Sequence, residues 1–428
     1  MDIRKIALGS AVVLSLLTIS SVNEKSVQAK VITSKFSTGL IKKTTNEYGD
    51  LDSTTKVAIL KKNKVVKIKS LTKNTKGLYR FQLSTGKYIT ADTASVQKLI
   101  STYKKYYYVK PSMSIIKVLH KVGYYRSPIA TKANKYLSKG NYAHILSVAY
   151  TKAGRPMLKT SNGEYITSNR EWVANSKGYQ NPKKYFQVQN SKIKPAGTIG
   201  YTLKRGYEGV KTWKVKRQLG IGGRSWYEYA TYNSTTVSAV KRFQRGHRLS
   251  ATGDVNLATW EKLGFSKSSW KSIDSYAAPL YARTWQGRSA HVNAEIKQAY
   301  RYLGRAYIVG ASSTPTYGTD CSGLVMQSLY AGGLNMNSVV SSIHHAYPGN
   351  EWNSRNLWST SKLRRVSYAG RKRGDLIFYY EPGTRSIYHV AIYLGGNRII
   401  ESWPNHIQVS GIRSNSHTSI AGVKRAFN

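Results

Sequence analysis

Residues 304–325, GRAYIVGASSTPTYGTDCSGLV, run through a loop rich in Gly, Ser and Pro into Cys321, the only cysteine of the 428-residue chain. The pattern from Ser322 to Tyr330 is helical, so Cys321 is predicted at or beside a helix N-terminus. First-turn N–H groups and the helix dipole favour a thiolate there. With a single cysteine the chain forms no internal disulfide, which excludes a stapled scaffold. A buried inert thiol is the alternative reading, and the surroundings of Cys321 decide against it.

A cysteine nucleophile needs a base. Of the nine histidines, His389 lies within YHVAIYL (residues 388–394), whose alternation predicts a half-buried strand, 68 residues after Cys321. GDLIFYY (374–380) supplies a neighbouring strand. A third group should orient the imidazole and hold its tautomer. If Gly395-Gly396-Asn397 form a three-residue hairpin loop, Leu394 pairs with Arg398 and Ala391 with Glu401, which puts Glu401 on the face of His389. A two-residue Gly-Gly loop puts Ser402 opposite His389 instead. His406, beyond Pro404, is a third candidate and reads as a loop residue. Asp375 reads as a turn residue before its strand.

The blocks DCSGLV (320–325), GDLIF (374–378) and HVAIYLG (389–395) resemble the signature of the NlpC family of papain-like cell-wall cysteine peptidases, over residues 293–428. The resemblance implies an α+β papain-like domain, with the Cys on a helix against an antiparallel sheet that carries the His. It implies hydrolysis within the peptidoglycan stem peptide, most often between γ-D-Glu and the diamino acid, with an amidase or acyltransferase on the same fold as the alternative. The family's third catalytic position, a polar residue twelve after the His, falls on Glu401; His is its commoner occupant and Glu occurs in some members. The implied catalytic set is Cys321, His389 and Glu401. Tyr307, in Ala306-Tyr307-Ile308-Val309-Gly310-Ala311, matches the family's upstream Tyr and would help bind the oxyanion, with Ala311 replacing a Gly. Asp320 and Ser322 match contacts to the free amine of the stem, and Asp320 can also cap the helix. Neither a metal nor a cofactor is implied, because the Cys and His residues lack ligand spacing.

Upstream, residues 201–265 predict three short helices: one opening at Gly209-Val210, one capped by Ser234-Thr235-Thr236, and one carrying Thr259-Trp260. The order GV…VKRQLG…TTVSAVKRFQ…TG…TWEKLGF resembles the peptidoglycan-binding three-helix domain found beside wall hydrolases. A helical spacer with Phe243 and Trp260 in its core is the alternative.

Residues 30–100 and 101–178 alternate Lys, Val, Ile and Tyr between Gly, Asn and Ser, the pattern of short strands and turns. YRFQLSTGKYIT (79–90) and PMLKTSNGEYIT (156–167) lie 77 residues apart, which predicts two copies of one all-β module. The pattern resembles S-layer-associated domains, with an unassigned basic β-module as the alternative. Residues 179–200 and 266–292 read as linkers.

The first 29 residues read as a secretory signal peptide: Arg4 and Lys5, an apolar run from Ile6 to Ile19, then Val27 and Ala29 before a cut at Lys30. No later segment is apolar enough to span a bilayer, so no membrane insertion is expected after cleavage. Net charge is +48 over the full sequence. Such an excess draws a protein to polyanions. The export signal favours anionic wall polymers such as teichoic acid over nucleic acid. The expected protein is multidomain, secreted and associated with a Gram-positive wall. A non-catalytic wall-binding or surface-layer protein is the rival.

Overall fold

The computed structural model describes residues 30–99, 103–109, 111–112, 114–151, 153–193, 200–223, 225, 227–334, 336, 352–413 and 419–428. The expected signal peptide therefore lies outside the described residues. The chain is multidomain, with all-β sheets in its N-terminal part and an α+β domain at its C-terminus. Two compact units divide it. The first ends at Tyr103 and takes in residues 153–155; the second holds the remainder.

In the first unit seven antiparallel strands form one sheet over a core of Ile41, Phe81 and Ile89. Tyr79–Leu83 pairs with Tyr88–Thr90 so that Phe81 faces Ile89. In the second unit Pro156–Thr160 pairs with Tyr165–Thr167 so that Leu158 faces Ile166. Both hairpins turn at a glycine, Gly86 and Gly163, each at φ +85°. Only glycine takes that left-handed conformation without steric cost, which accounts for the shared Gly-x-Tyr-Ile-Thr phrase.

The helices Val210–Gln218, Ser234–Gly246 and Leu257–Lys262 enclose Val215, Val240 and Trp260. Asn233, not the serine and threonines after it, caps the second helix: its side chain accepts from the Thr236 N–H at 3.0 Å. The same core takes in Ile308, Val309 and Ala311 from the loop before Cys321. Gly209 permits this approach, since a Cβ there would stand 3.0 Å from the Gly310 carbonyl oxygen.

The C-terminal sheet has eight strands in the order Gly318–Thr319, Ala306–Tyr307, His406–Gly411, Arg398–Trp403, Ile387–Gly395, Asp375–Tyr380, Ser419–Arg425, Arg364–Val366. Only the first two of these run parallel. The helix Cys321–Ala331 packs on this sheet with every residue buried, the polar Ser322, Gln327 and Ser328 included.

Two stretches expected as linkers are packed instead. Tyr179, Phe186, Val188 and Ile193 lie in the same core as the Cys321 helix, and Asn181 donates to the Ala426 carbonyl at 2.7 Å. Within 266–292 a fourth helix spans Lys267–Ser272, and Ala278 and Val292 are core residues. The helix before the site begins at Arg288, ahead of the expected boundary at 293. Tyr179, Phe186, Val188 and Ile193 are buried from irregular backbone at no fixed period, so hydrophobic periodicity missed them.

Candidate active site

Cys321 is the first residue of its helix, and Asp320 is the N-cap. Asp320 Oδ1 accepts from the Gly323 N–H at 2.7 Å and from Ser322 Oγ at 3.0 Å. Its Oδ2 accepts from the Gly310 N–H at 3.0 Å. A Cβ on Gly323 would collide with the Ala311 carbonyl oxygen at 2.1 Å, so the glycine two after the cysteine allows helix and loop to touch. Asp320 and Ser322 are both buried and serve the helix start.

The thiol lies against the backbone on either side of His389. Cys321 Sγ is 4.0 Å from the Tyr388 carbonyl oxygen, and the Val390 N–H bonds to the sulfur. Burial, and then the Asp320 carboxylate, push the thiol up to about 12 against hydrogen bonds from Val390 and Ser322. The helix terminus is present as expected, and burial and the Asp320 carboxylate oppose ionisation of the thiol there.

His389 sits on Ile387–Gly395, the strand facing the helix, and its Nε2 lies 2.9 Å from Glu401 Oε2. The pair is buried, with 3% and 0% of the two side chains exposed. Because Nε2 is engaged by the carboxylate, Nδ1 is the ring nitrogen outside that contact. The register that creates the pair came about differently from expectation. The loop has two residues, Gly396 and Asn397, both at positive φ, and Gly395 rather than Leu394 pairs with Arg398. A bulge at Leu394 then restores Tyr393 opposite Ile399 and Ile392 opposite Ile400. One further step brings Glu401 level with Ala391, on the face of His389.

The other two candidates for third group stand elsewhere. Ser402 Oγ donates to the Thr319 carbonyl at 2.7 Å. His406 is exposed, and it begins a strand rather than lying in a loop, pairing with Trp403 and Ala306. Asp375 makes its expected turn, accepting from the Lys372 N–H at 2.6 Å, and also forms a buried ion pair with Arg425 at 2.7 Å.

Sequence reasoning did not find Arg413. Its Nε and Nη2 donate to Glu401 Oε1 at 2.9 and 2.6 Å, and Ser410 Oγ donates to the same oxygen at 2.7 Å. Burial alone would raise Glu401, but the bonds from His389, Arg413 and Ser410 outweigh it and hold the carboxylate at about 2. Ser410 could have been read from the hairpin. A two-residue Pro404-Asn405 turn sets Glu401 opposite Gln408, which places Ser410 diagonally across on the same face. Arg413 lies past that strand, where no periodicity points to it.

Tyr307 pairs with Thr319, at the end of the short strand leading into the loop. Its hydroxyl is held well above its ordinary range by burial, then by Cys321, Asp320, Glu208 and Tyr227. It is thus a proton-bearing group beside the thiol. Glu208 and Tyr227, joined by a 2.6 Å hydrogen bond, come from the helical region, against whose core Tyr307 packs.

Residues 304–422 match the family described as NlpC/P60. The C-terminus is an NlpC/P60 domain. A second model, described as "Putative peptidoglycan binding domain", matches residues 229–263. A third, described as "Domain of unknown function (DUF5776)", matches residues 32–96 and 106–173, within the two N-terminal β regions. Among curated relatives the chain is 31% identical over 122 residues to the bifunctional muramidase/DL-endopeptidase CwlT of Bacillus subtilis, covering 28% of this chain and 31% of that protein. It is 30% identical over 109 residues to the peptidoglycan endopeptidase RipA of Mycolicibacterium smegmatis, covering 25% of this chain and 18% of the relative. The chain thus spans less than a third of the length of these relatives. Among solved structures it is similar to RipD of Mycobacterium tuberculosis, described as a non-catalytic NlpC/p60 domain protein, at 21% identity and a TM-score of 0.24, covering 32% of this chain and 96% of that one.

Proposed function

We propose that this protein is a peptidoglycan hydrolase that cuts stem peptides through Cys321. The observation that carries the reading is the placement of Cys321, at a helix start inside an NlpC/P60 domain, against the strand that holds His389, itself buried with Glu401 of the next strand. In the proposed reaction His389 Nδ1 takes the thiol proton as the sulfur attacks the scissile carbonyl carbon. The oxyanion that forms is met by the Cys321 backbone N–H and the Tyr307 hydroxyl. The imidazolium returns its proton to the leaving amine, which departs and leaves a thioester. Water, deprotonated by His389, then attacks the thioester and releases the carboxylate and the thiol. Asp320 and Ser322 would line the subsite for the amine end of the stem while holding the helix start.

The bond we assign is that between γ-D-Glu and the diamino acid, the cut of a DL-endopeptidase. The helical region and the two basic β modules would concentrate the enzyme on its polymer, raising its effective concentration there. The same reading makes the protein secreted and wall-bound, with anionic wall polymers as electrostatic partners. Among the described residues no helix is long and apolar enough to cross a membrane. Mass spectrometry of the fragments released from purified peptidoglycan tests the assignment. Fragments ending in γ-D-Glu, with new amino termini on the diamino acid, are expected. Intact stem peptides freed from the glycan would instead make the enzyme an amidase.

A further inference from the structure

Glu401 brings a full negative charge to a buried imidazole. An isolated carboxylate 2.9 Å from His389 Nε2, with both side chains buried, would bind an imidazolium proton tightly. It could equally take that proton itself. Either outcome withdraws His389 from service as a base in mildly acidic conditions. The chain places a counter-charge on the far side of the same carboxylate. Arg413 reaches Oε1 with two N–H groups, and Ser410 adds a third donor there, so Oε2 alone is left for His389.

Arg413 is itself fixed from a second direction. Its guanidinium lies over the Trp403 ring, 4.4 Å from the centroid. Trp403 in turn meets the His389 ring edge-on, at 4.8 Å and 83°. Arg413, Trp403, His389 and Glu401 thus form a closed ring of contacts, in which the arginine steadies both the acceptor and the aromatic wall of the imidazole.

We propose that Arg413 is a positioning residue that anchors the Glu401 carboxylate and shares its charge, so that Glu401 orients the His389 ring without locking a proton between them. This rests on the peptidase reading above. The other titratable groups facing the pair among the described residues are Tyr379 on the adjacent strand and Tyr388 on the strand of His389 itself. Neither supplies positive charge, whereas Arg413 does.

The test is the pH profile of kcat/KM for the full chain on a soluble synthetic stem tetrapeptide, which removes wall binding from the measurement. Arg413→Gln should move the acidic limb upward by about one pH unit, leaving roughly tenfold less of its own maximal activity at the foot of the limb than the wild type keeps. Arg413→Lys retains the charge and should keep the limb near the wild-type position, with only a lower maximum. A limb that stays put in folded Arg413→Gln, with activity lowered evenly at all pH values, would reduce Arg413 to a structural role and overturn the proposal. If Arg413→Gln does not fold, Arg413→Lys decides alone: a limb displaced upward despite the retained charge would overturn it. Cys321→Ala is the control that separates the two readings. Cleavage surviving in that variant sinks the peptidase reading itself, whereas an unmoved limb alongside an inactive Cys321→Ala sinks only the role of Arg413.

Discussion

His389 Nε2 and Glu401 Oε2 stand 2.9 Å apart with both side chains buried, twelve residues apart in sequence and on neighbouring strands. The contact engages one imidazole nitrogen and leaves Nδ1 outside it, and its strength depends on the charge of Glu401. That charge has a measurable consequence for stability.

Glu401 is held at about 2 in the folded protein against an ordinary 4.5. A depressed carboxylate contributes stability that is fully present above the unfolded value and is lost as pH falls through the folded one. The shift corresponds to about 3 kcal/mol. Glu401→Gln removes this contribution, so its melting temperature should fall well below wild type at pH 6. The gap should close progressively from about pH 5 toward pH 2. A gap independent of pH would show that the carboxylate's ionisation does not support the fold.

The thiol of Cys321, pushed up to about 12 by burial and by Asp320, should be slow to alkylate in the resting protein. Iodoacetamide modification is expected to be sluggish at neutral pH and to accelerate continuously into the alkaline range. Rapid alkylation, constant from pH 5 to 8, would instead reveal a preformed thiolate–imidazolium pair.

Asp375 and Arg425 form an ion pair with 0% and 6% of their side chains exposed, at the strand edge remote from His389. Removing one partner leaves an uncompensated buried charge. Asp375→Ala should therefore cost about 3–5 kcal/mol in chemical denaturation. A loss under 1 kcal/mol would mean that water reaches Arg425 readily in the variant.

The net charge of +48 predicts a tether that salt weakens. Binding of the full chain to purified wall should drop steeply between low and physiological ionic strength, and again when teichoic acid is extracted. Binding indifferent to both treatments would assign the tether to uncharged contacts.

The chemistry-bearing part of the fold was the most legible in sequence, because it rests on local rules. An N-cap aspartate before Cys321, strand alternation around His389 and a Gly-rich hairpin are each readable within ten residues. The hairpin shows the limit of that reading. Glu401 faces His389 because a bulge at Leu394 compensates a two-residue turn, and alternation alone does not reveal a bulge. Arg413 was invisible for a similar reason, since its role depends on where a segment beyond the last paired strand returns in space. Tyr179 and Phe186 looked like linker residues because they enter the core from irregular backbone. The opposing influences on Cys321 were also beyond the sequence: helix position favours the thiolate, whereas burial and the capping carboxylate oppose it.

The central claim is that Cys321 is the nucleophile. Muropeptide release from purified peptidoglycan by the wild type and by Cys321→Ala, at matched wall binding, tests it most directly. The account predicts that the variant folds, binds the wall as the wild type does, and releases nothing above background. Undiminished release by the folded variant would contradict it.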